Sequence, residues 1–182
     1  MSVTTTIVVP AVKNCGTTRK VIIPFVSADD SSGQGAAGLD IHCRNSKVIY
    51  FPIFAAGGNV EARASAHAHP GDKIVLRLSW NATRLLLAVI DKTHPSVTRK
   101  LTEPGSSSFS DPGIGDSVIE PNVPVPDFGE VAFSQSKING RALGSAPGLR
   151  RENLVSMSDV LQIKTGPIRS DNRSFTTTFK HS

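Results

Sequence analysis

Helical periodicity is the first thing missing from this chain. No segment repeats apolar residues at a three-to-four spacing for three turns, which excludes an all-α or doubly wound α/β design. Long apolar runs are missing too: "LLLAVI" (85–90) is a strand's worth, far short of the ~20 residues that cross a bilayer. The start, "MSVTTTIVVPAVKNC", has neither the charged leader nor the apolar core of a secretion signal, so a soluble chain without a signal peptide is expected, its location unknown. Aromatic residues are thin, with one Trp and one Tyr among 182 residues. No reading helix, stacking motif or dense basic run is present, which speaks against a specific nucleic-acid role. "GQGAAG" and "DPGIGD" lack the Lys-Ser/Thr of a phosphate loop, and no serine sits in a nucleophile elbow. With two cysteines, Cys15 and Cys43, there is no zinc knuckle. Two reduced, buried thiols are the expected state, and sequence separation leaves a bridge open.

What is present is charge of modest size and many strands. Twenty basic residues stand against fifteen acidic ones, a net charge of +5. The excess gathers in residues 141–182, where Arg141, Arg150, Arg151, Lys164, Arg169, Arg173 and Lys180 face Glu152, Asp159 and Asp171, so acidic partners are expected there. "TTTIVVPAV", "RKVIIPFV", "GLDIHC", "KVIYFPIF", "KIVLRLSW", "TRLLLAVIDKT" and "SVTRKLT" read as strands, with Ile74, Leu76 and Leu78 on one face and Val75 and Arg77 on the other. "NVEARASAHA" alternates as well, Val60, Ala62, Ala64 and Ala66 forming its dry side. Pro24 and Pro52 predict edges or bulges, residues 103–116 an exposed, mobile loop, and Asn153–Asp159 a turn of helix or a loop. Glycine and proline mark the joints. The expected fold class is all-β: an antiparallel two-sheet β-sandwich of the concanavalin or jelly-roll type, one domain over 1–182, with a closed barrel as the alternative.

The order of these segments resembles the glutamic peptidases, the G1 or A4 family also called eqolisins. "AAGLDIHCRNSKVIYFPIF" stands where that family has Gln-Thr-Gly-x-Asp leading to an aromatic strand, and "HPGDKIVLRLSW" where it has a Gly-Asp turn and a long alternating strand. "GDSVIE" takes the place of Ala-Glu-Trp-Ile-Val-Glu, "PDFGEVAF" follows Asp-Phe-Gly-x-Val-x-Phe closely, and "DVLQIKT" and "SFTTTFK" close the chain. The resemblance implies a sandwich and an acid endopeptidase ancestry. In the family a glutamate and a glutamine hold one water, the carboxylate taking its proton while the amide stabilises the developing oxyanion.

Carried over by position, these roles are poorly kept. The family's glutamine lies over Ala36, whose methyl group cannot hold water, and its glutamate over Asp116, one methylene shorter. A shift of roughly 1 Å can cost about a hundredfold in rate. The second acid of the motif lies over Glu120. Gln34, about 6.5 Å along the strand from Ala36, is the candidate substitute amide. Asp40 matches the family's Asp and is expected to brace the sheet, while Tyr50 and Phe51 are what remains of the aromatic cleft wall. His67 and His69 would share a strand face as half of a metal site, approached by His42 or His94, but no acid partner is specified, so no metal and no cofactor are expected. "NAT" (81–83) and "NRS" (172–174) would accept glycan only in a secreted protein. The expected function is a non-catalytic glutamic-peptidase-like sandwich binding a peptide, protein or glycan. The alternatives are an active acid endopeptidase using Asp116 with a substitute amide, and a structural or assembly subunit; enzyme status stays open.

Overall fold

The computed structural model describes residues 1–30, 33–63, 65–105, 109–118, 123–155 and 160–180. Its strands are β1 (Ser2–Val8), β2 (Lys20–Asp30), β3 (Gly33–Arg44), β4 (Lys47–Ala56), β5 (Asn59–Ala62), β6 (Lys73–Trp80) and β7 (Arg84–Asp91). They continue as β8 (Arg99–Pro104), β9 (Ser110–Ser117), β10 (Glu130–Ile138), β11 (Arg141–Ala142), β12 (Leu154–Val155), β13 (Leu161–Thr165) and β14 (Phe175–Phe179). Two short 3₁₀ turns, Pro95–Val97 and Leu143–Ser145, are the helical elements among the described residues. No helix of the described residues is long and apolar enough to cross a membrane.

Two antiparallel sheets form a sandwich, and neither closes into a barrel. One has nine strands in the order β12-β13-β14-β10-β1-β6-β7-β8, with β11 against β10; the other has five, β5-β4-β3-β2-β9. Local sequence sets several joints. Asn45–Ser46, Gly57–Gly58 and Asn139–Gly140 each supply two consecutive positive φ angles between paired strand ends, the two-residue hairpin turn that matches strand twist. At the β6–β7 turn the Asn81 side-chain oxygen accepts from Thr83 N, Thr83 Oγ1 and Arg84 N, so this asparagine works as a turn former.

Alternation decides which face of each strand goes inside. Val3 and Ile7 from β1, Ile74, Leu76 and Leu78 from β6, Leu85, Leu87 and Val89 from β7, and Phe133 from β10 meet Ile22, Val26, Ala37, Leu39, Ile41 and Phe54 of the smaller sheet in one buried cluster. Phe133 and Phe175 stack there, 4.6 Å between ring centres and 2° from parallel. A smaller cluster of Val21, Ile23 and Ile53, with Phe25 and Val123 against it, lies apart from this core.

Several expectations need correction. Residues 110–117 are not loop but strand β9, held against β2, and Phe109 before them is buried edge-on against Trp80. The "SDPGIGD" composition reads as a joint because its pairing energy comes from backbone bonds to a distant strand, which periodicity does not register. Pro24 lies in β2, between β3 and β9, so it is no edge residue, whereas Pro52 sits just past the end of the β4–β5 ladder. The strand expected over 59–68 is kept only to Ala62, where β5 stops: Val60 is 55% exposed, residues 65–69, with His67 and His69, belong to a loop, and Ala64 lies outside the described residues. Cys15 and Cys43 are not free thiols but a disulfide, since folding brings their Cα atoms to 5.3 Å. Leu154–Val155 forms a short strand where helix or loop was expected, and residues 156–159 lie outside the described residues.

Candidate functional site

Residues directly paired across a ladder point to the same face. On the five-stranded sheet the pairs Phe25↔Gly115, Ser27↔Gly113, Ile23↔Ser117, Phe25↔Gly38, Ser27↔Ala36, Ala36↔Ala55 and Gly38↔Ile53 therefore define one face, turned away from the main core. A groove of ≈ 250 Å³ runs over it, lined by Ile23, Phe25, Gln34, Ala36, Gly38, Ile53, Phe54, Ala55, Val60, Ser117 and Val118. Its floor depends on a missing side chain. A Cβ on Gly38 would stand 2.7 Å from Ile23 Cγ2 and 2.8 Å from the Pro24 carbonyl oxygen, so β2 and β3 reach this closeness only with glycine there. The polar side chains lining the groove are the Gln34 amide and the Ser117 hydroxyl; no carboxylate lines it among the described residues.

The carboxylates lie elsewhere. Asp116 pairs with Pro24, one residue out of step with Ser117, so its side chain enters the sandwich while Gln34 and Ala36 face the groove. Although the residue as a whole is half-buried, both carboxylate oxygens are sealed from solvent and lack a hydrogen-bond partner among the described residues. Burial pushes its pKa from 3.8 up to about 7; the Thr177 hydroxyl, on β14 of the facing sheet, offsets part of the shift without forming a well-aligned hydrogen bond. Asp116 and Gln34 are thus on opposite sides of one sheet and do not share a water. Asp40 faces the groove side beyond the lining residues, opposite Phe51. It is 4% exposed, its Oδ1 has no hydrogen bond, and His42 Nδ1 stands 3.9 Å away. Burial raises its pKa to about 7 against the lowering field of Arg19.

The other sequence candidates divide similarly. Gln34 is exposed at the groove and Ala36 lines it. Tyr50 turns into the main core, where burial raises its phenol pKa. Phe51 faces the other way, its ring 6.5 Å from that of His42, and neither aromatic lines the groove. Glu120 lies outside the described residues. Sequence reasoning missed Ser117, Ile23, Ile53 and Val60 as groove residues. The period-two rule could have found Ser117 once β9 was recognised as a strand.

This arrangement, a small sheet with a groove backed by a larger sheet, was compared with solved structures. Scytalido-glutamic peptidase with a transition state analog inhibitor matches with a TM-score of 0.69 at 13% identity, over 98% of this chain and 92% of that one. The fold is that of the glutamic peptidases. The same peptidase with a peptide-based transition state analog matches at 0.66, and SCP-B, a member of the eqolisin family in complex with the tripeptide Ala-Ile-His, at 0.63, each at 13% identity with the same coverage. No protein-family model matches the sequence, and no curated protein does. The glutamic-peptidase fold explains why segment order carried the resemblance while identity is low: what is shared is the succession of strands, not the residues on them.

Proposed function

We propose that this chain is a non-catalytic sandwich of the glutamic-peptidase type that binds an extended apolar segment of a polypeptide in the groove of its five-stranded sheet. One observation carries the reading. Among the described residues no carboxylate lines the groove: β9 presents Gly113, Gly115 and Ser117 on that side, the position corresponding to the family's glutamine is Ala36, and the acids of that face, Asp29 opposite Gln34 and Asp40 opposite Phe51, lie outside the lining. General-base hydrolysis needs both groups within hydrogen-bond reach of one water. What the face retains is apolar surface from Ile23, Phe25, Ile53 and Val60, with Gln34 and Ser117 able to bond a peptide backbone. Peptide as the ligand class is supported by the structural relatives, two of which are complexes with a peptide or peptide-based compound.

The test has two arms. Incubation with an unfolded protein substrate between pH 2 and pH 7, read by mass spectrometry, is expected to give no cleavage. Fluorescence polarisation with a labelled Ala-Ile-His-containing peptide is expected to show saturable binding, weakened at least about tenfold by Ala36→Trp, which fills the groove. Cleavage abolished by Asp116→Asn would instead establish the acid endopeptidase. Binding indifferent to Ala36→Trp would remove the groove from the account.

A further inference from the structure

At the open end of the β6–β7 hairpin, three potential metal ligands converge. Asp72 immediately precedes β6, and His94 follows β7 by three residues; the ladder pairing Ile74 with Asp91 brings these two ends together. His69 joins them through a tight turn: its N–H donates to Asp72 Oδ2 at 2.8 Å, and the Asp72 N–H donates to its carbonyl at 3.1 Å. The turn is tied down at Val9, whose N–H donates to Asp72 O and whose carbonyl accepts from Gly71 N, both at 2.9 Å. His94 is positioned from the other side by Asp91, whose Oδ1 accepts from the His94 and Thr93 N–H groups at 2.7 Å each.

The donor atoms face one another. His94 Nδ1 lies 2.9 Å from Asp72 Oδ1, His69 Nδ1 lies 3.7 Å from Asp72 Oδ2, the two rings meet edge-on at 5.5 Å, and one ligand atom from each residue falls within 4.8 Å of the others. Ligands about 2.0–2.1 Å from one tetrahedral ion stand roughly 3.3 Å apart, so small side-chain rotations close the set. Burial is divided usefully: the Asp72 side chain is 3% exposed, while those of His69 and His94 are 66% and 52% exposed. A carboxylate fixed by the backbone thus sits beneath two imidazoles open to solvent. The cluster also stands apart from the groove, since none of its three residues is among those that line it.

We propose that His69, Asp72 and His94 bind a divalent transition-metal cation of the zinc class, with the outward coordination position left to water or an external ligand. Two imidazole nitrogens and one carboxylate favour Zn²⁺ over the oxygen-seeking Mg²⁺ and Ca²⁺. The ion takes the place of the hydrogen in the His94–Asp72 contact, the displaced proton leaving to solvent. Bound there, it cross-links the loop before β6 to the segment after β7.

Isothermal titration of the untagged, disulfide-intact protein with ZnCl₂ is the experiment, with Co²⁺ absorption as a probe of coordination and MgCl₂ as the comparison. One equivalent of Zn²⁺ is expected, with tetrahedral Co²⁺ bands and no heat from Mg²⁺. His69→Ala and His94→Ala, both at exposed positions, are expected to weaken binding at least about tenfold, the lower end of the loss for even an outer-shell partner. His67→Ala, exposed and outside the cluster, should leave it unchanged. Absence of Zn²⁺ binding, or binding that persists in both His69→Ala and His94→Ala, would overturn the proposal.

Discussion

Replacing Asp116 by Asn tests the burial of a carboxylate between the sheets. Its pKa is raised from 3.8 to about 7, so the folded protein holds this proton more tightly than the unfolded chain does. The stability this contributes is complete below about pH 3.8, declines as pH climbs through the interval, and is gone above about pH 7. At 1.36 kcal/mol per pKa unit the full span is about 4 kcal/mol, a large share of the 5–15 kcal/mol typical of a domain. Asn carries the same shape without the charge. At pH 8 the variant is expected to be the more stable protein. At pH 3 it is expected to be equal or less stable by about 1–2 kcal/mol, because an amide has two donors to satisfy beside Thr177. Urea unfolding from pH 3 to pH 8 reads this through Trp80, the chain's single tryptophan, which is 5% exposed and donates from Nε1 to the Phe109 carbonyl. Asp40, with its pKa also at about 7, keeps part of the wild-type slope in the variant, so the observable is the difference between the two proteins. Parallel stability profiles for wild type and Asp116→Asn over pH 4–8 would refute the reasoning.

The disulfide and the groove floor give two further expected outcomes. Reducing the Cys15–Cys43 bridge, or replacing both residues by Ser, opens a loop with a separation of 28 residues; chain entropy puts the loss at about 3–4 kcal/mol, measurable as a lower urea midpoint. Gly38→Ala places a methyl group against Ile23 and the Pro24 carbonyl, and is expected to cost about 1–3 kcal/mol while weakening groove binding, checked by thermal unfolding and the polarisation assay.

The sandwich was legible because most strands carry their own signal. Ile74, Leu76 and Leu78 alternate with Val75, Arg77 and Ser79, and the structure puts them inward. Strand β9 was illegible for the opposite reason: Gly113 and Gly115 offer no side chain to pattern, and the strand exists through its ladder with β2. That gap carried into the site. Without β9's register, Asp116 looked like a groove residue on the strength of matched segments, and the one-residue step to Ser117 that separates the faces could not be seen. The metal cluster was half visible. His69 was singled out, with His42 or His94 as a residue that could approach it, but it was paired with His67 on a strand face; Asp72 was hidden in a "PGD" turn, and the nearness of His94 follows from the β6–β7 pairing across more than twenty residues.

The place of β1 in the larger sheet has a consequence for assembly. Its seven residues, synthesised before either partner, lie between β6 and β10, pairing Val3 with both Leu78 and Ile138. A ribosome must therefore extend the polypeptide past position 130 before the second edge of β1 can be covered. Until then an Ile- and Val-bearing ribbon stays available to strangers, and closure spans one of the longest separations in the molecule, the kind of non-local contact that slows folding.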